Sequence, residues 1–164
     1  MKAVLISINK PHTDNIKALI KRIEVRKNKP NCALPFLAYI YETKNKGGCG
    51  KVIGEFVCNR IEQGHILWVK EQPEYYDKVE EKTQLTYRQM FDYLGESGVG
   101  YFWHISDLVI YDKPRELSEF YILKKCGSCK SGYESTACIY DEDCKVPVLI
   151  RRPPQSWCYV EGEI

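Results

Sequence analysis

The chain has 164 residues, enough for one domain with a small appendage. Its 24 basic and 22 acidic residues leave a net charge of +2, which excludes a global field that draws polyanions to the whole surface. No apolar run approaches the roughly 20 residues that a membrane-crossing helix needs. The opening MKAVLISINKP lacks both the apolar length and the small-residue cleavage site of a secretory signal, so the expected location is the cytoplasm.

KAVLISI (2–8) is apolar and β-branched, a buried strand. Pro11 opens a helix, and Ile16, Leu19, Ile20 and Ile23 continue a helical stripe that gives way near Ile20. KRIEVRK (21–27) alternates as a strand, with Ile23 and Val25 on one side and Arg22, Glu24 and Arg26 on the other. PFLAYIYET (35–43) and KVIGEFVCNRIE (51–62) read as a hairpin across the glycine-rich turn 44–51. A loop with a short helix near Tyr75–Glu81 follows. LTYRQMFDYLG (85–95) is the clearest helix, with a Thr86/Gln89 capping box and Gly95 as its C-terminal stop. GYFWHISDLVIYDKP (100–114) reads as one long strand, and a last short strand covers 157–161. Hairpins with few helices predict a small α+β fold, a mixed barrel with helices over its ends.

CGSCKSGYESTACIYDEDC (126–144) holds Cys126, Cys129, Cys138 and Cys144 in the spacing C-x2-C-x8-C-x5-C. Tetrahedral zinc takes four thiolates, and a C-G-x-C turn offers two from one knuckle. Without a secretion signal, structural zinc is the expected cofactor; free thiols and disulfides are the alternatives, and iron takes the same ligands. Cys58 and Cys158 fall in strands and read as core thiols.

The cations around Glu24 in KRIEVRK keep that carboxylate ionised. They form either a surface ion-pair network or the wall of a polar cleft in which Arg26 grips a phosphate or base edge. Here MKAVLISI, the helix opened by Pro11, K-x-I-E-V-R-K and GKVIGEFVC (50–58) resemble ASCH-domain proteins, a family similar to PUA-like barrels. YFWHISDLVIYDKPRELSEF (101–120) and RPPQSWCYV (152–160) carry the resemblance further. It implies a main domain of 1–120 plus 151–164, with 121–150 as a four-cysteine, zinc-binding insert. The family pattern has a glycine two residues before the lysine, where this chain has Leu19.

The resemblance implies a cleft bordered by Lys21, Glu24 and Arg26 that binds RNA or a nucleotide-like ligand. Ser7, inward on the first strand, and His104 are further binding candidates, although His104 reads first as a structural histidine. His12 and His65 read as isolated and exposed. Some small ASCH proteins are similar to an amidohydrolase that deacetylates acetylcytidine, which would employ Lys21, Glu24 and Glu81 here. That activity uses a threonine where Glu24 stands. A third reading is a protein-interaction module whose contact surface is the zinc insert.

Overall fold

The computed structural model describes residues 3–71, 73–125 and 145–163. In chain order, β1 (Ala3–Ile8) leads to α1 (Lys10–Lys17), β2 (Ile23–Arg26), β3 (Phe36–Glu42), β4 (Lys51–Cys58) and β5 (Ile61–His65). Three helices follow: α2 (Ile66–Glu71), α3 (Pro73–Thr83) and α4 (Tyr87–Leu94). The chain returns to strands with β6 (Val99–His104), β7 (Ser106–Arg115), β8 (Phe120–Lys125), β9 (Lys145–Leu149), β10 (Trp157–Val160) and β11 (Gly162–Glu163). No helix among the described residues is long and apolar enough to cross a membrane.

The architecture is α+β, with three sheets ordered β10-β1-β3-β4-β7, β2-β6-β5 and β11-β8-β9. The expected barrel is not formed: none of these sheets closes on itself. The closure fails where the expected long strand 100–114 breaks. Ile105 separates β6 from β7, and Asp107 takes a left-handed φ of 47°. The two halves then join different sheets, β6 pairing with β2 and β5, and β7 with β4. Pro114 lies inside β7 rather than ending it, as an edge strand of its sheet permits.

β1 is buried along its whole length and runs parallel to β3 and antiparallel to β10. Its Val4, Ile6 and Ile8 face one apolar cluster with Phe36, Phe56 and Trp103, while Ala3 and Leu5 face a second with Phe120 and Val160. Cys58 is buried in the first, and burial pushes its thiol up to about 12, so it is a core residue as expected. A third cluster holds β2 under the helices: Ile23 and Val25 pack with Val79, Met90 and Leu94. The period-two pattern of β2 therefore sends Glu24 and Arg26 the other way. The α4 capping box of Thr86 and Gln89 is formed, and Gly95 ends the helix at φ 73°.

The β8–β9 hairpin pairs Lys125 with Lys145, so segment 126–144 leaves and re-enters at adjacent strand positions. Cys126, Cys129, Cys138 and Cys144 all lie outside the described residues.

Helix α1 ends at Lys17, earlier than the apolar stripe suggests. Ala18, Leu19, Ile20 and Lys21 turn back on it, their amides donating to Asp14, Ile16, Asn15 and Asn15 carbonyls respectively. The turn needs a left-handed residue, and Leu19 supplies it at φ 59°, at the position where the family pattern has glycine. A side chain pays about 1–2 kcal/mol for that conformation. Leu19 is 57% exposed, so it recovers little of this by packing. Leu19→Gly is expected to stabilise the fold by about 0.5–1 kcal/mol, the relief of strain less the chain entropy of glycine, as read by urea denaturation.

Candidate functional site

The α1–β2 turn delivers Lys21 to the C-terminal end of α3. Lys21 Nζ donates to the Thr83 carbonyl at 2.6 Å, and the Arg22 amide donates to the Lys82 carbonyl at 2.8 Å. These are the carbonyls that a helix end leaves without intrahelical partners, and they carry the negative end of the helix dipole. Lys21 Nζ also lies 3.2 Å from Glu24 Oε2, and Arg26 Nη2 lies 3.0 Å from Glu24 Oε1. Arg26 Nη2 donates to the Ser7 carbonyl at 2.7 Å, and Nη1 reaches Ser156 Oγ at 3.3 Å. All three charged side chains are at least nine-tenths buried.

Burial pushes the Glu24 carboxyl up, but the charges of Lys21, then Arg26, outweigh it and hold the group below its ordinary value. Burial lowers Lys21, and the Glu24 carboxylate offsets that only in part. Removing Glu24 would leave two buried cations side by side, a defect worth about 3–5 kcal/mol. Among the described residues, Arg26 Nε is buried with no hydrogen-bond partner, a deficit of about 1–3 kcal/mol of the kind that functional sites carry.

The trio lines a cleft of about 1080 Å³. Ser7 lines it too, but its hydroxyl already donates to the Pro154 carbonyl at 2.7 Å. Three walls surround the trio: His12 on α1, Gln89 and Tyr93 on α4, and residues 153–156 before β10. Lys44, Lys46 and Arg151 stand on the lining as exposed cations. Two expected residues are not brought in. His104 places Nε2 3.4 Å from Glu62 Oε2 and does not line the cleft. Glu81 is exposed on α3 and likewise lines a separate, small depression.

His12 was expected to be isolated and exposed; it is half-buried and faces the cleft. Burial, then the charge of Lys21, lowers its pKa, which favours the neutral imidazole. Its place at the first turn after Pro11 was the available signal. Trp157 is an anchor: its Nε1 donates to Asn28 Oδ1 at 2.7 Å, and its ring lies 6.1 Å from that of Trp103. The side chains of Trp68, Tyr75 and Tyr76 fall outside the described set.

No family model matches the chain, and no curated protein matches it in sequence. Solved structures do. The ASCH protein of Zymomonas mobilis superposes with a TM-score of 0.62 at 18% identity, covering 96% of this chain and 86% of that one. The chain has the ASCH fold. A serine-to-alanine variant of the same protein gives 0.64 over 96% and 87% of the two chains, and a tyrosine-to-phenylalanine variant gives 0.63 over 97% and 90%. Within this ASCH fold, the cleft lies where the end of β1 meets β2, α4 and the segment before β10.

A second buried carboxylate braces the cleft rim. Glu42 Oε1 accepts from Thr13 Oγ1 at 2.7 Å and Lys17 Nζ at 3.0 Å, and Oε2 accepts from the Cys49 amide at 2.8 Å. It ties α1 to the β3–β4 loop, residues 43–50. Burial pushes the Glu42 carboxyl up, but these hydrogen bonds outweigh it and hold the pKa at about 2. As pH falls, the unfolded chain therefore takes up this proton first. The Glu42 contribution, roughly 3 kcal/mol, is complete above about pH 4.5 and lost on the way to pH 2. Glu42→Gln is expected to flatten the stability profile across that window, measured by denaturant unfolding at each pH.

Proposed function

We propose that this chain is an ASCH-domain protein that binds RNA or a nucleotide-like ligand in the cleft. One observation carries the reading: two cations and a carboxylate, each buried, gather on a single concavity of about 1080 Å³. Burying three charges is costly, and a chain that needed only packing would fill the place with apolar residues. Lys21 and Arg26 serve phosphate or base edges. Glu24 has one cation on each oxygen and keeps lone pairs for a base amino group.

An amidohydrolase acting on a modified nucleoside such as acetylcytidine is the alternative. It draws on the lowered pKa of Lys21, which brings an amine nearer to proton transfer at neutral pH. Glu81, its third expected member, stands outside the cleft, so the binding reading comes first.

The logarithm of RNA affinity is expected to fall linearly with log salt, with a slope of about 0.7 per neutralised phosphate. Arg26→Met and Lys21→Met, which keep the packing volume, should each weaken it at least tenfold in fluorescence anisotropy while the melting curve confirms folding. A flat salt response with unchanged affinity in both variants would sink the reading. Acetate released from acetylcytidine, and lost in Lys21→Met, would favour the hydrolase.

We further propose that Cys126, Cys129, Cys138 and Cys144 hold one structural zinc, whose knuckle offers a surface to a protein partner. The pairing of Lys125 with Lys145 supports this, because it starts and ends the cysteine segment at neighbouring positions. Among the described residues, no group of three or more His, Cys, Asp or Glu is placed to hold a metal. Atomic emission should find one zinc per chain, absent from the Cys126→Ser/Cys129→Ser variant. Folded wild-type protein free of metal, or carrying iron, would refute it.

A further inference from the structure

The charge in the cleft is unevenly spent. On the floor, Lys21 is engaged by Thr83 and Glu24, and Arg26 by Ser7, Ser156 and Glu24. The floor cations are thus largely satisfied from within, and water barely reaches them. The rim differs: Lys44, Lys46 and Arg151 are exposed on the lining, and no ion pair among the described residues engages them. Lys46 lies on the 45–47 turn, which packs against α1, and lines the cleft with His12.

Topology sets where these cations stand. Lys44 and Lys46 follow the end of β3, and Arg151 precedes β10. In the sheet, β10 and β3 flank β1 on its two sides, and β10 runs antiparallel to β1. Both segments therefore lie at the same end of the sheet, on either side of the end of β1, two strand spacings or about 10 Å apart at the sheet. The Lys44 loop is also held in place: Glu42 binds the Cys49 amide, and the Gly50 amide donates to the Glu42 carbonyl at 3.0 Å. A cleft of about 1080 Å³ is slightly larger than the range of about 300–1,000 Å³ that holds a drug-sized ligand.

We propose that the floor takes a base while Lys44 and Lys46 on one side and Arg151 on the other take flanking phosphates, so that the ligand is an internal nucleotide of a single strand rather than a free mononucleotide. The proposal rests on the nucleic-acid reading above and assigns a division of labour within it. Phosphates seek unpaired, hydrated cations that can release counterions, and the rim supplies these. A base edge seeks fixed donors and acceptors in a dry setting, and the Lys21–Glu24–Arg26 array supplies those.

The test compares wild type with Lys44→Ala/Lys46→Ala/Arg151→Ala, using a fluorescein-labelled six-nucleotide RNA of mixed sequence and, by calorimetry, the four nucleosides and their 5′-monophosphates. Wild type is expected to bind the hexamer at least tenfold tighter than any monophosphate. The triple variant should lose at least tenfold in hexamer affinity, and its log–log salt slope should shrink by about 2, the loss of three phosphate contacts at about 0.7 each. Restoring charge with Lys44→Arg/Lys46→Arg/Arg151→Lys should restore the slope. A triple variant with wild-type hexamer affinity and slope overturns the rim assignment while leaving the cleft reading intact. A monophosphate that binds as tightly as the hexamer overturns the strand assignment in the same way. Failure of every RNA, nucleotide and nucleoside to bind wild type overturns the parent reading, and this one with it.

Discussion

The Glu24 carboxylate is the point on which this structure turns. It sits between Lys21 and Arg26, and each cation makes a further bond that reaches another part of the chain. Lys21 fastens the end of α3; Arg26 fastens the end of β1 and the segment before β10. One buried anion thus indirectly joins four elements that share no sheet as a set. The coupling also explains the choice of residues. A neutral side chain at position 24 would leave like charges facing each other out of water, and a single cation would leave one of the two tethers unmade.

Much of this was legible in the sequence because alternation is a local property. Ile23 and Val25 against Glu24 and Arg26 fixes which way each side chain leaves β2, whatever the sheet does elsewhere. The capping box of α4 and the hairpin of β3 with β4 were readable for the same reason. The resemblance to ASCH proteins placed these pieces in one fold, and the superposition on the Zymomonas mobilis structures agrees with it.

What escaped the sequence is non-local. Nothing in GYFWHISDLV marks Ile105 as a break, because the break follows from β6 and β7 joining different sheets. Leu19 is a poor candidate for a left-handed residue by its chemistry, and only tertiary demand places it there. His12 gained its place because the fold sets α1 and the residues that precede β10, about 140 positions later, on one cleft. His104 lost its expected place because its ring turns toward Glu62 on β5, not toward the end of β1.

The tie between Arg26 and Ser156 spans 130 residues of sequence. On a ribosome, strands β1 to β7 emerge long before Ser156 and Trp157 do. The nascent chain must therefore carry Arg26 without its Ser156 partner through most of synthesis. The wall of the cleft formed by residues 153–156 is therefore among the last parts of the molecule to be made. A chain cut short before residue 151 would lack the wall formed by residues 153–156, so its cleft would stand open on that side.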